Sequence, residues 1–197
     1  MAETSVNVLA IIGSLQRDSV TRVVINHAAD QLKAAGCTVE IVDLQNEPLG
    51  LYNPDSSHGL PGHSQLQARI DKADVLLLGT PDYHGSLSGA MKNFLDHFWK
   101  EFSGKLFVPL VASHEKGLTV IDQLRTIARQ CYAWTLPYGV SFTEDMDVQG
   151  GKIVSEQLKA RLEMMVRDTR VYGGLLARQR RADLAGNEPG FLAKRRR

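Results

Sequence analysis

Apolar positions follow two rhythms along this chain. Five short runs, VNVLAII (6–12), CTVEIVDL (37–44), DVLLLGT (74–80), KLFVPLVAS (105–113) and WTLPYGVSF (134–142), are separated by stretches where apolar residues recur every three or four positions. Strand alternating with helix predicts an α/β domain whose mainly parallel sheet is covered on both faces. The first and third runs are apolar almost throughout, as strands buried on both sides should be, and they predict the central pair. CTVEIVDL alternates polar with apolar, and Pro137 in the last run removes a ladder donor, which sends both toward an edge.

The helical stretches are equally regular. Val20, Val24, Ala28 and Leu32 step by four, and Gly36 follows as a stop signal. Leu87, Met91, Phe94, Leu95 and Phe98 mark the core face of a helix that begins near Ser88. Leu118, Ile121, Leu124, Ile127 and Ala128 mark a further helix, and Ile153, Leu158, Leu162, Met165 and Val166 a last one. All are read as core stripes.

Two segments fall outside this rhythm. Residues 45–63, QNEPLGLYNPDSSHGLPGH, hold three Pro and three Gly where a loop of about six residues is usual, and long loops of this kind are often functional. The end, RQRRADLAGNEPGFLAKRRR, loses periodicity and finishes on four basic residues. It is read as a solvated tail, with an arm that packs on another subunit or an anionic ligand as the alternative.

Composition narrows the picture. At 197 residues and 43% hydrophobic content, one domain with a sizeable core is expected. A formal charge of +1 provides no global field toward nucleic acid or membranes. The opening MAETSVNVLAII has no basic segment leading into a long apolar one, and nowhere do eighteen apolar residues run together. A soluble cytoplasmic protein is expected, with neither nucleic acid nor membrane as partner. Cys37 and Cys131 stand far apart and read as two buried thiols. His58 and His63 share the flexible 45–63 loop and His27 and His97 lie on helices, so no histidine pair has helical metal-binding spacing and no metal is expected.

Candidate chemistry sits after the first and third runs. GSLQRDSVT (13–21) stands at the carboxyl end of the first strand, where open parallel sheets bind ligands. It has neither the Gly-x-Gly-x-x-Gly nor the Walker pattern. It provides hydroxyls on Ser14, Ser19 and Thr21, an amide on Gln16 and a cation on Arg17 beside a helix start, a setting that suits a monophosphate. Equally, Ser19 serves as a plain helix cap and Ser14 as a turn residue. The turn after the third run, with Gly85-Ser86-Leu87-Ser88-Gly89, does not place Ser at the centre of a nucleophile elbow.

Taken together, GSLQRDSVT and TPDYHGSLSGAMKNFLD (80–96) resemble the NADPH-dependent FMN reductase family of flavodoxin-like proteins, which includes flavin, quinone, azo-dye and chromate reductases. Pro81, Asp82, Tyr83, Gly85, Ser86, Gly89, Lys92, Asn93 and Asp96 fit its second motif, and the resemblance covers roughly residues 5–170. It implies a doubly wound five-stranded parallel sheet in the order 2-1-3-4-5, with FMN along the carboxyl edge. Residues 1–180 would form the FMN-binding reductase domain and 181–197 a basic C-terminal tail. Ser14, Gln16, Arg17, Ser19, Val20 and Thr21 would hold the FMN phosphate. Pro81, Asp82, Tyr83, His84, Gly85 and Ser86 would approach the ring, mainly through backbone groups shaped by Pro and Gly. The loop SHEKG (113–117) would contact the ring more weakly, through Ser113, His114 and Gly117.

The implied activity is transfer of hydride from NADPH or NADH to FMN and then to a small-molecule acceptor: free flavin, a quinone, an azo compound or a metal ion or oxyanion. No catalytic acid or base is nominated, because hydride passes directly and the protein supplies orientation, electrostatics and exclusion of water. The alternative is a flavin-binding electron carrier or regulatory protein without NAD(P)H turnover. The family also implies a homodimer or homotetramer, with the 45–63 loop and the helix after residue 88 near the subunit contact. The chain departs from the family pattern in four places. Gln16 stands where Arg is common, Thr21 where Asn is common, His84 where Asn is usual and Ser88 where Pro is usual.

Overall fold

The computed structural model describes residues 5–195. Its elements run β1 (Asn7–Ile12), α1 (Val20–Ala34), β2 (Thr38–Asp43), α2 (His63–Lys72), β3 (Val75–Tyr83), β4 (Ser86–Leu87), α3 (Gly89–His97), β5 (Leu106–Ala112) and α4 (Leu118–Gln130). After these come β6 (Trp134–Thr135), β7 (Val140–Phe142), α5 (Glu144–Asp147), β8 (Val148–Gln149), β9 (Lys152–Ile153) and α6 (Glu156–Ala185). The parallel sheet has the order β2-β1-β3-β5-β6, with β7 also pairing with β5. Counting β6 and β7 as one interrupted strand and β4 as a return hairpin recovers the expected order 2-1-3-4-5.

Strand alternation divides the interior into two cores. Val8, Ala10, Ile12, Val75, Leu77 and Val108 face α1 and α6, whereas Leu9, Ile11, Leu76, Leu78 and Phe107 face α2, α3 and α4. This is why the first and third runs are apolar almost throughout. Gly79 brings α1 onto the sheet, since a Cβ there would lie 2.5 Å from Ile25 Cγ1. That close approach sets the first turn of α1 over the carboxyl end of β3.

Several expectations are corrected. The third strand does not stop at Thr80. It continues to Tyr83 and turns back as a hairpin in which Tyr83 pairs with Ser86. The fifth run is two strands, because residues 137–139 leave the ladder at Pro137. Leu118 is 62% exposed and Val120 takes its expected place in the core, because Gly117 caps α4 and turns its first residue outward. Ile153 belongs to a two-stranded hairpin with β8, while α6 starts later under a Ser155 cap that accepts from Leu158 N–H. His63 is not a loop residue: it opens α2 and is buried, stacked on Phe98 at 5.0 Å.

The segment read as a solvated tail also packs. Residues 181–185 are the last turns of α6, Arg181 pairs with Asp74 at 3.2 Å, and Leu192 is buried on the domain. An apolar residue every third or fourth position is too sparse in 178–192 to show this, so the packing rests on single contacts. Arg196 and Arg197 lie outside the described residues. Among the described residues no helix is long and apolar enough to cross a membrane. Cys37 and Cys131 are free and buried, and burial pushes the Cys131 thiol up to about 11.

Candidate functional site

The loop 13–19 between β1 and α1 is organised by one side chain. Arg22 donates from Nε and Nη2 to the Asp43 carboxylate at 2.8 and 3.1 Å. Its remaining N–H groups donate to the carbonyls of Gln16 and Arg17, both at 2.7 Å, and to the Gln45 side chain at 2.9 Å. A planar fork of donors gathers the loop's carbonyl oxygens on one side. The N–H groups of the first turn of α1, which have no helical acceptor, are left for the other side.

That other side is a groove of about 110 Å³ at the carboxyl edge of the sheet, lined by Ser14, Gln16, Ser19, Val20 and Thr21 from the first loop. Its donors are unspent. Ser19 holds the N-cap position of α1 yet makes no side-chain cap, and no acidic residue stands in the first turn. Thr21 is 1% exposed and its Oγ1 has no hydrogen-bond partner. A buried hydroxyl without a partner is costly unless something else satisfies it. The plain capping role for Ser19 is therefore not the one this loop uses.

The opposite wall comes from the other loops at the same edge. Pro81, Asp82 and Tyr83 line it from β3, Ala112, Ser113 and His114 from the end of β5, and Thr143 and Glu144 from the end of β7. Sequence reasoning missed Ala112, Thr143 and Glu144. The available signal was positional: each sits at or just past the carboxyl end of a parallel strand. Arg22 was missed too, since nothing in its spacing marks it as the staple of the loop before it.

The hairpin explains the Pro, Gly and acidic residue of the second motif. His84 and Gly85 both have positive φ, 57° and 77°, as a two-residue type I′ turn requires. Asp82 Oδ1 accepts from Gly85 N–H at 2.8 Å, and Oδ2 accepts from Ser113 Oγ at 2.9 Å. Asp82 thus ties two loops of the groove together. The tip is held on α4 by Gln123, which accepts from Ser86 Oγ at 2.9 Å and donates to the Gly85 carbonyl at 3.0 Å.

His84, Gly85 and Ser86 accordingly lie at the hairpin tip and do not line the groove, and neither do exposed Arg17 or Gly117, the α4 cap. Ser88, where the family pattern has Pro, links the two motifs directly. Its hydroxyl donates to the Gly13 carbonyl at 2.6 Å and accepts from Met91 N–H at 3.1 Å. Asn93 works at a distance from the groove. Its side chain donates to the Gly50 carbonyl at 3.0 Å and accepts from Tyr52 N–H at 2.8 Å, pinning the long 45–62 segment to α3.

Among the described residues no group of three His, Cys, Asp or Glu is placed to hold a metal ion. The groove gathers neutral donors at a helix start, where an anion can be received, beside a backbone edge suited to a flat polar ring.

Comparison with known proteins points to the same chemistry. The family model for NADPH-dependent FMN reductases matches residues 6–147. An NADPH azoreductase of Bacillus sp. (strain OY1-2) is 29% identical over 168 residues, covering 83% of this chain and 90% of the relative. An FMN-dependent NADPH-azoreductase of Staphylococcus aureus is 31% identical over 146 residues, covering 71% and 77%. The apo form of an NADH:FMN oxidoreductase superposes with a TM-score of 0.72 at 18% identity, over 85% of this chain and 90% of that one.

Proposed function

The chain belongs to the NADPH-dependent FMN reductase family, and on that premise we propose which residues hold its cofactor and which acceptor it reduces. It is an NAD(P)H-dependent oxidoreductase that uses FMN, on a flavodoxin-like fold, so the electron-carrier alternative is not needed. The proposed acceptor is an aromatic azo compound, a reading supported by the activity in the names of both curated relatives.

The observation that carries the site reading is the unpartnered Thr21 hydroxyl facing an uncapped helix start. The FMN phosphate is placed against the N–H groups of Val20 and Thr21, the hydroxyls of Ser14, Ser19 and Thr21 and the Gln16 amide, with Arg17 as an outer charge. The flavin edge is placed along Pro81, Asp82 and Tyr83, with Ser113 and His114 beneath. His84, Gly85, Ser86 and Gly117 act through the backbone shape they confer on the hairpin and on the start of α4. FMN, when bound, accepts hydride from the nicotinamide and passes the electron pair to the acceptor. Tyr83 is 51% exposed at the rim, where its ring presents a face to an incoming planar molecule. The groove volume of about 110 Å³ suits the phosphate and the near part of the flavin only. A homodimer or homotetramer is proposed to complete the site, through α3 and the 45–62 segment. A cleft of about 270 Å³ lined by Pro48, Leu49 and Leu51 together with Gly89, Ala90 and Asn93 of α3 supports that contact.

The test is an anaerobic visible spectrum of the protein with one equivalent of FMN, then NADPH, then a sulfonated azo dye. Protein-perturbed flavin bands that bleach with NADPH and recover as the dye loses colour are expected. Bleaching that a small quinone reverses and the dye does not would move the acceptor to quinones, and unperturbed bands would remove the site assignment.

A further inference from the structure

A second cleft lies at the opposite end of the sheet. It has a volume of about 330 Å³ and is walled by Arg125, Arg129, Tyr132, Trp134 and Phe191. Trp134 pairs with Leu106, the first residue of β5, whereas the candidate FMN groove meets that strand at Ala112. Six residues at the strand rise put the two sites roughly 20 Å apart. We propose that this cleft is a binding site for a planar aromatic anion, a fused ring bearing a carboxylate or sulfonate.

The aromatic half of the site is exposed against expectation. Tyr132, Trp134 and Phe191 are 57%, 50% and 44% exposed, although ring surface of this size normally contributes to a core. Tyr132 and Phe191 are nearly parallel, 13° between planes, and Trp134 stands edge-on to Phe191 at 6.4 Å. The C-terminal segment has a separate anchor in the next residue, Leu192, which is buried at 2% exposure.

Tyr132 is also held in an unfavourable backbone state. It closes α4 in a Schellman arrangement, with Tyr132 N–H donating to the Arg129 carbonyl at 3.2 Å and Ala133 N–H to the Ala128 carbonyl at 2.8 Å. The residue at that position takes the left-handed conformation, here φ 56°, which glycine fills without strain and a tyrosine does not. The ring is thus present where local backbone chemistry favours none, and strain of this kind gathers at binding sites.

The cationic half supplies the charge selectivity. The Arg129 side chain is exposed and makes no hydrogen bond or ion pair among the described residues. Arg125 is held in place by Asp122 at 3.1 Å and by the Pro137 carbonyl. Among the described residues no acidic side chain lines the cleft. A guanidinium offers a carboxylate or sulfonate two parallel donors while its plane stacks on a ring system. Phe191 lies beyond the family-matched residues 6–147, so one wall belongs to this chain's own C-terminal segment.

The experiment is calorimetric titration of naphthalene-2-sulfonate into FMN-saturated wild type, Arg129→Gln and Tyr132→Gly, with uncharged 2-methylnaphthalene as control and sedimentation of each protein alongside. Saturable one-to-one binding to wild type is expected, weakened about tenfold by each substitution and by loss of the anionic group. Tyr132→Gly should unfold at or above the wild-type temperature, since it relieves the left-handed tyrosine, and Arg129→Gln, exposed and unpartnered, decides the matter alone if Tyr132→Gly does not fold. NADPH oxidation with FMN saturating should be unchanged in both. Unsaturable binding, equal affinity in wild type and both variants, or equal affinity for the uncharged ring overturns the proposal. A drop in oligomeric mass on Tyr132→Gly does so as well, by making the patch a contact between copies.

Discussion

Two of the loops that face the candidate FMN groove are built on opposite plans. The first, between β1 and α1, has almost no hydrogen bonds of its own and depends on Arg22, which collects three of its carbonyls and ties them to Asp43. The second is a β-hairpin whose register and turn residues fix it before any side chain contributes, with Asp82 and Gln123 bracing the tip. A loop that must point many N–H groups at an anion cannot also spend them on itself. A loop that offers a flat ring only its edge can keep its ladder.

The difference has consequences for FMN affinity, and the largest lies in the first loop. Ser19→Ala combined with Arg17→Ala is expected to weaken FMN by on the order of 2 to 4 kcal/mol, the scale of charge-assisted hydrogen bonds, as read by flavin fluorescence titration. An affinity within error of wild type would detach the phosphate from this loop. Arg22→Ala touches no ligand yet should weaken FMN by about 2 kcal/mol, because the freed carbonyls turn into the groove and Asp43 loses its partner. If Arg22→Ala leaves affinity intact, the loop is self-supporting and the contrast with the hairpin fails.

Thr21→Val sharpens the comparison through opposite signs. Removing a hydroxyl that has no partner should stabilise the FMN-free protein by about 1 kcal/mol while weakening FMN by a similar amount. Thermal unfolding with and without FMN checks both, and a loss of stability without FMN would mean that the hydroxyl is satisfied in the free chain. In the hairpin, His84→Asn should change FMN affinity by under about 1 kcal/mol and slightly raise stability, since Asn-Gly is the preferred pair for this turn. A large loss of affinity there would give the imidazole a direct role.

The smallest effect on FMN is expected from Lys105, which lies under the amino ends of the strands, fully buried, donating to the Asp71 and Ala73 carbonyls. Burial lowers its pKa to about 7 in the folded chain from 10.5. Between those values the unfolded chain binds more protons, so stability should rise as pH increases from 7 toward 10.5 and show no such slope below 7. Denaturant midpoints across that window should flatten in Lys105→Met, with FMN affinity unmoved. A slope that persists in the variant would assign the linkage to another group.

How much of this was legible depends on the range of the interactions involved. Strand β3 could be read because every residue from Val75 to Thr80 is buried on one face or the other, and α1 because Val24, Ala28 and Leu32 repeat at the helical period. The edge positions of β2 and β6 followed from alternation and from Pro137. The groove residues of the first loop were legible by position, as a hydroxyl-rich stretch at a carboxyl strand end. Period and strand-end chemistry are local properties, written in neighbouring residues.

Only the tertiary structure decided the rest. That Arg22 serves residues 14–17, that Ser88 reaches Gly13, and that Glu144 shares a groove with Ser19 are contacts between segments distant in sequence or facing away from their own period. The same holds for Phe191, which meets Tyr132 only because α6 carries the chain back across the domain. Sequence by itself determined the alternation of elements and the chemical character of each strand end, because burial and propensity act within a few residues. Which strand ends converge, and which side chains are left without partners when they do, depends on packing over the whole sheet.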